Sequence, residues 1–155
     1  MTETHWDLEH LQTYFATGLP IAALFGIELV VAEPSRARVR LIGNANIARP
    51  GGMVVGPVLF AMADITTYAL TLVRRQKDGA ATSNLLINFF RPVFELPLLS
   101  EAVALRVGRQ LITYDVRIWP ETEGPDRLVA QATATWAIAR GGERSVKGDA
   151  HAGSY

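Results

Sequence analysis

The sequence predicts an α+β fold in which a curved antiparallel sheet wraps around one long central helix. The first observation is an apolar run over residues 53–73 that contains a single charged side chain. The second is that segments with strand patterning lie before and after this run. A helix that is hydrophobic nearly all round must be covered on most sides, and a curved sheet provides that cover. A chain of 155 residues without cysteine is expected to fold as one domain.

The N-terminal part, residues 1–24, is expected to be helical and to pack on the domain. Apolar side chains at helical spacing predict a helix over residues 7–17, and residues 20–24 add one turn. Strands are predicted over residues 25–32 and 37–42, joined into a hairpin by a Glu-Pro-Ser turn. The second strand alternates arginine with apolar residues, which is the pattern of a half-buried strand.

A loop rich in Asn, Pro and Gly over residues 44–52 leads into the long helix, predicted over residues 57–75 with Gly79 as its terminator. The strands predicted after this helix span residues 82–90, 98–106, 111–119 and 128–139. The main domain is therefore expected over residues 25–140, followed by a flexible tail over residues 141–155.

Charge and composition argue against several classes of protein. Lys and Arg total 15 and balance 15 Asp and Glu, whereas nucleic-acid-binding proteins usually carry a basic surface. The polar, acidic start has no signal-peptide pattern, so a cytoplasmic location is expected. The apolar run is long enough to span a membrane, but it contains a carboxylate and three threonines. A buried helix in a soluble domain fits the run better.

Asp64 is the single charge within the apolar run. An isolated buried carboxylate is very costly, so this side chain must be paired, neutralised or used in chemistry. Gly56 stands eight residues earlier, and Pro57 after it marks a helix start. A helix N-terminus stabilises negative charge, so the pair suits hydrolysis of an acyl group. The alternatives are a structural carboxylate bonded to threonine or backbone groups, and a plain N-terminal glycine.

The sequence resembles the hotdog-fold acyl-CoA thioesterases, especially the PaaI-like branch named after the phenylacetate pathway. The resemblance rests on residues 56–64, Gly-Pro-Val-Leu-Phe-Ala-Met-Ala-Asp, which are similar to the family's pattern at the start of its apolar helix. Residues 82–92 resemble the family's third strand, and residues 108–109 resemble its turn before the next-to-last strand. The similarity covers residues 25–138 and implies the hotdog fold.

The resemblance also implies roles for individual residues. Asp64 falls on the carboxylate that acts as general base or nucleophile, and Gly56 on the glycine whose N–H polarises the thioester carbonyl. Thr82 falls on a hydroxyl residue that orients water or substrate, and Tyr68 on a hydroxyl found in some members. Arg49 falls where many members have Asn or Gln. The alternatives are purely structural roles, as a strand residue for Thr82 and as a core residue for Tyr68.

Three positions depart from the family pattern, Val55, Pro57 and Arg49, and all three are expected to border the substrate. Val55 stands where the family has His, and Pro57 stands where it has a second Gly and offers no N–H. Arg91 and Arg109 are candidates for binding coenzyme A phosphates, with solvated strand-end arginines as the alternative. Arg49 either pairs with the catalytic carboxylate across a subunit interface, binds an acyl carboxylate or is solvated.

The spacing of Gly56 and Asp64 bears on the oligomeric state. Eight helical residues rise about 12 Å, so the two groups cannot easily serve one substrate from one helix. The family solves this by facing the glycine of one chain with the aspartate of another. The resemblance therefore implies a homodimer, or a tetramer built from dimers. No metal or other cofactor is expected, since no spacing suggests a metal site.

The sequence thus predicts a cytoplasmic thioester hydrolase that acts on an aromatic or medium-chain acyl-CoA. Neither a nucleic acid nor a membrane is an expected partner. The alternative is a non-catalytic hotdog protein that binds or senses acyl-CoA, motivated by the departures from the family pattern. A hotdog hydratase is disfavoured because that branch uses a catalytic His, whereas His5, His10 and His151 lie outside the predicted core.

Overall fold

The computed structural model describes residues 5–139, and the predicted tail over residues 141–155 lies outside them. Two short helices precede a strand hairpin, a long helix and four further strands. In chain order these are α1 Leu8–Gly18, α2 Pro20–Phe25, β1 Ile27–Glu33, β2 Arg36–Leu41, α3 Gly56–Arg75, β3 Ala80–Phe89, β4 Leu98–Val107, β5 Leu111–Pro120 and β6 Ala130–Ile138. Every predicted helix and strand is present.

The six strands form one antiparallel sheet in the order β1-β2-β4-β5-β6-β3. β3 follows α3 in the chain but pairs with β6, so β1 and β3 form the two edges of the sheet. α3 contacts all six strands, and 13 of its 20 residues are buried. The predicted architecture, one long helix covered by an antiparallel sheet, is confirmed.

α3 has the length and apolar composition of a membrane-crossing helix, yet most of it is buried inside the fold. Its three threonines are fully buried, and each makes a side-chain hydrogen bond to the sheet. These bonds, each 2.8 Å long, join Thr66 to Ser100, Thr71 to Tyr114 and Thr67 to Trp136. Buried polar groups need such partners, so α3 is packed as the core helix of the domain.

The alternation predicted for β2 is confirmed. Its three apolar side chains are fully buried, while its arginines lie on the other face and pair with glutamates. Arg38 lies 2.6 Å from Glu101, and Arg40 lies 2.6 Å from Glu121. This row of arginines is largely neutralised by its neighbours, and exposed ion pairs of this kind contribute little to stability.

The prediction that Gly79 terminates α3 is wrong. The helix is capped by Gln76, which has a left-handed φ of 54°, a conformation that usually favours glycine. The Gln76 side chain donates to the Val73 carbonyl at 2.7 Å and accepts a bond of 2.9 Å from the Trp6 N–H. These bonds stabilise the cap and tie the end of α3 to the N-terminal segment.

Candidate active site

Asp64 lies in the middle of α3, half-buried at a cleft rather than enclosed in the core. The Thr82 hydroxyl donates a hydrogen bond of 2.6 Å to Asp64 Oδ1. Among residues 5–139, no hydrogen-bond donor reaches Oδ2. One oxygen is therefore fixed in orientation while the other is free to accept a proton or a hydrogen bond. The threonine-bonded and the functional interpretations of Asp64 are thus compatible.

Thr82 reaches Asp64 from an irregular start of β3. Thr82 pairs with Trp136 on β6, and the next paired residue on β3 is Asn84, so the register shifts at Ser83. A bulge of this kind bends the strand and re-aims a side chain, and bulges are frequent beside active sites. The bulge and the edge position of β3 together place a hydroxyl beside the α3 carboxylate.

Asp64 and Thr82 border a cleft of about 310 Å³. Its other walls are apolar or aromatic and come from α3, the start of β3, β6 and the junction between α1 and α2. The lining residues are Leu19, Ile21, Asp64, Ile65, Tyr68, Ala80, Ala81, Thr82 and Trp136. Apolar walls with a few converging polar groups are typical of small-molecule sites.

Six of the nine lining residues are absent from the sequence-based candidates, and they are Leu19, Ile21, Ile65, Ala80, Ala81 and Trp136. Leu19 and Ile21 flank Pro20 at the break between α1 and α2, far from Asp64 in the chain. Hydrophobic spacing reports which face of an element is apolar, but not which distant element that face meets. Trp136 could have been found in part from the sequence, because a large aromatic residue near the end of an alternating strand indicates a buried contact there.

Tyr68 lies one turn after Asp64 and forms part of the cleft wall. Its ring stacks on Trp136, with ring centroids 5.3 Å apart, and its hydroxyl lies 3.0 Å from the Tyr14 hydroxyl. Burial raises the pKa of Tyr68, and the Tyr14 hydrogen bond and the Asp78 charge raise it further. The phenol therefore stays neutral near pH 7, and its hydroxyl is engaged with α1.

Gly56 is the first residue of α3, where backbone N–H groups have no acceptor within the helix. No residue among 5–139 accepts a hydrogen bond from its N–H. Val55 is the N-cap and provides no side-chain cap, and Pro57 at the second position has no N–H. A Cβ at Gly56 would lie 3.3 Å from the Phe89 ring. The free N–H is thus a candidate oxyanion donor beside the end of β3.

Gly56 and Asp64 cannot both contact one thioester group within a single subunit. Both belong to α3, and eight residues of helix span about 12 Å. The groups also point in different directions, because the Gly56 N–H lies nearly along the helix axis whereas the Asp64 side chain extends from the side of the helix. A site that uses both must combine residues of two chains.

The three candidate arginines lie in different surroundings. Arg49 is exposed in the turn before α3, where its guanidinium lies 3.5 Å from the Met53 sulfur. Arg91 follows β3 and lies 2.5 Å from Glu123, and it holds the pKa of that carboxyl below its usual range. Arg109 is exposed in the turn before β5. Arg91 and Arg109 lie at opposite ends of β5, so they cannot hold the same phosphate within one subunit.

Within the described residues, no group of three or more His, Asp or Glu side chains has the arrangement of a metal site. A second cleft, of about 640 Å³, lies between α1, α2 and β1. Among the described residues that line it, Glu28 is the one ionisable side chain, and none of the sequence-based candidates lines it. The Asp64 cleft is therefore the candidate active site.

Comparison with known proteins identifies the family. The sequence profile of the thioesterase superfamily matches residues 51–126. A Saccharolobus solfataricus protein provisionally named an esterase is 32% identical over 116 residues, which cover 74% of this chain and 75% of that protein. The crystal structure of a provisionally named thioesterase from Silicibacter sp. TM1040 is 30% identical, with a TM-score of 0.74 and coverage of 86% and 92%.

The E. coli PaaI protein from the phenylacetic acid degradation operon has the same fold. It is 21% identical, with a TM-score of 0.74, and the alignment covers 90% of this chain and 98% of PaaI. The predicted hotdog fold and the predicted resemblance to PaaI-like proteins are both confirmed. The chain belongs to the thioesterase superfamily and is a hydrolase of the thioesterase type.

Proposed function

We propose that this protein is a homodimeric acyl-CoA thioesterase for aromatic or medium-chain acyl groups. The observation that carries this proposal is the Asp64 carboxylate, which borders an apolar cleft. One of its oxygens is held by Thr82, and the other receives no hydrogen bond from residues 5–139. An apolar cavity of roughly 150 Å³ binds benzene. A cleft of about 310 Å³ therefore has room for a ring-sized acyl group and its thioester.

The carboxylate supports two routes to hydrolysis. In the first, Asp64 Oδ2 removes a proton from water, whose oxygen attacks the thioester carbonyl carbon. The carbonyl oxygen becomes an oxyanion that accepts a hydrogen bond from the N–H of Gly56 of the partner subunit. The C–S bond then breaks, and coenzyme A leaves as a thiolate that takes up a proton. In the second route, an Asp64 oxygen attacks the carbonyl carbon, the C–S bond breaks and the coenzyme A thiolate leaves. Water then hydrolyses the resulting mixed anhydride, which releases the acid and restores the Asp64 carboxylate.

The free edge of β3 supports a dimer. In the described part of the chain, β3 pairs with β6 on one side and with no strand on the other. Exposed edges of this kind readily pair with another chain. Two β3 strands related by a two-fold axis run antiparallel, so the end of one lies beside the start of the other. Gly56 packs near Phe89 at the end of β3, whereas Asp64 bonds Thr82 near its start.

This pairing would bring Gly56 of one subunit to the side of its partner that carries Asp64. Exposed aromatic residues around Gly56 support the same interface. Phe60, Phe89, Phe90 and Phe94 are between 43% and 62% exposed in the single chain. Clusters of exposed large apolar residues often mark protein interfaces, and a second copy would remove this surface from water.

A charge on the β3 edge is expected to weaken the dimer. Leu86 lies near the middle of β3 and is 62% exposed, so Leu86→Glu would place like charges close together across the two-fold axis. Leu105→Glu is the matched control, since Leu105 on β4 is also 62% exposed. We expect the Leu86 variant to dissociate and lose activity at enzyme concentrations where the control stays dimeric. Light scattering and activity across a dilution series test this, and a fully active Leu86→Glu monomer would contradict the dimer.

Loss of the Thr82 hydroxyl is expected to impair turnover without unfolding the protein. Thr82→Val keeps the shape and strand preference of the side chain but removes its bond to Asp64. A hydrogen bond to a charged group is worth roughly 1.5–3 kcal/mol, so kcat should fall by about 10-fold to 100-fold. Thr82→Ser retains the hydroxyl and should keep most of the activity. Equal activity in the Val and Ser variants would show that this bond has no role.

The proposed function is tested by measuring release of free coenzyme A from aromatic and aliphatic acyl-CoAs. We expect turnover well above the uncatalysed rate, unchanged by EDTA because no metal is invoked. Val55 and Pro57 favour the second candidate, a non-catalytic acyl-CoA-binding protein, because the family His and one backbone donor are replaced. Measurable acyl-CoA binding without release of coenzyme A would establish that alternative. The cytoplasmic location remains a prediction.

A further inference from the structure

The Asp64 cleft has one wall that does not belong to the helix and sheet of the main fold. Leu19 and Ile21, at the junction between α1 and α2, line the cleft together with Tyr68 and Trp136. This part of the wall carries neither the carboxylate nor the hydroxyl beside it. Its side chains are purely aliphatic, so their contribution to the site is shape and apolar surface.

The position of this wall is fixed relative to Asp64 by contacts between α1 and α3. The Tyr14 hydroxyl lies 3.0 Å from the Tyr68 hydroxyl, one turn from Asp64. The Phe15 ring, also on α1, stacks on the Tyr68 ring with an interplanar angle of 8°. The α1–α2 junction follows directly, so Leu19 is held beside α3 rather than free to swing away.

The remaining walls leave little scope for adjusting the size of the cleft. Trp136 is buried and its indole N–H bonds Thr67, while Ile65 is buried in α3. Ala80 and Ala81 are already small. By contrast, Ile21 is 41% exposed, so its side chain stands at the margin of the cleft and would gain apolar contact when an acyl group binds.

From these contacts we infer that Leu19 and Ile21 determine which acyl groups the site accepts, by limiting the space beside Asp64. The inference rests on the proposed thioesterase function and names the residues that set its selectivity. A small side chain at position 21 extends the cleft, and a large one shortens it. Because the Ile21 side chain is aliphatic and has no group that can transfer a proton or bind the oxyanion, changing it alters acyl preference rather than the chemical step.

The test compares kcat/KM for decanoyl-CoA and butyryl-CoA in Ile21→Ala, Ile21→Trp and a control, Leu24→Ala. Leu24 belongs to the same short helix and is 52% exposed, but it does not line the cleft. The decanoyl-to-butyryl ratio should rise by about tenfold in Ile21→Ala and fall by a similar factor in Ile21→Trp, since small changes in apolar pockets alter kcat/KM by 10-fold to about 200-fold. The control should keep the wild-type ratio.

Binding of the corresponding non-hydrolysable thioethers, decyl-CoA and butyl-CoA, provides a readout independent of turnover. The ratio of their Kd values should move in the same directions in the two Ile21 variants. An active wild type whose ratios stay unchanged in both variants overturns this inference and leaves the proposed function intact. A wild type that releases no coenzyme A overturns the proposed function. In that case the ratio of the Kd values for decyl-CoA and butyl-CoA alone tests whether Ile21 selects ligands by size.

Discussion

Replacing Asp64 by asparagine is expected to lower kcat by about 10³-fold while leaving the fold and the dimer intact. General-base catalysis typically contributes 10²-fold to 10⁴-fold, and an amide at this position neither takes a proton from water nor attacks a carbonyl. Folding should survive because Asp64 is half-buried and the Thr82 hydroxyl can still donate to the amide oxygen. The substitution therefore removes the proposed chemistry without removing the hydrogen bond.

Two measurements and one control variant make this prediction specific. Thermal unfolding should show a melting temperature close to that of the wild type, and binding of a thioether analogue should be retained. Asp126→Asn is the matched control, since it makes the same carboxylate-to-amide change at an exposed residue outside the cleft. Both variants retaining most of the wild-type kcat would remove Asp64 from the reaction.

Removing the Gly56 N–H is expected to have the second large effect. Gly56→Pro deletes this donor, and proline is well tolerated at the first position of a helix. Val55 already has an extended ψ of 147°, as a residue before proline requires. Loss of one oxyanion donor typically costs about 10²-fold to 10³-fold in kcat. The Phe89 ring must shift slightly to admit the new Cβ, so circular dichroism and the melting temperature should accompany the kinetics.

Most of the fold could be predicted from the sequence because its signals are local. The alternation in β2 and the apolar run that becomes α3 each report burial within one element. The end of α3 could not be predicted in the same way. Gln76 replaces the expected glycine because its side chain bonds Trp6, and that contact joins residues 70 positions apart.

The candidate site was accessible from the sequence only in part. The family resemblance led to Asp64, Gly56 and Thr82, and the hydrogen bond of 2.6 Å between Asp64 and Thr82 agrees with the expectation that a lone carboxylate finds a partner. The wall formed by Leu19 and Ile21 was not predicted, because it depends on how α1 and α2 dock on α3. A sequence pattern shows which face of each helix or strand is apolar. How α1 and α2 dock on α3 depends on the contacts that these faces make with one another in the folded protein.

The ion-pair partners of surface charges likewise could not be predicted from the sequence. Arg91 reads as a candidate phosphate ligand, yet it forms an ion pair with Glu123 and bonds the Arg127 carbonyl at 2.9 Å. The loop between β5 and β6 brings these groups together, and no local sequence motif predicts this contact. Arg109 has no such restraint from an ion pair among the described residues and remains the better candidate for a phosphate contact.

The most direct test of a site shared between subunits is to mix two inactive variants, Asp64→Asn and Gly56→Pro. Half of the randomly formed dimers contain one chain of each kind, and native mass spectrometry can confirm their formation. In such a dimer, the intact Asp64 faces the intact Gly56 of its partner at one of two sites. We expect mixing to restore about a quarter of wild-type activity. Confirmed mixed dimers that remain as inactive as either parent would contradict the shared site.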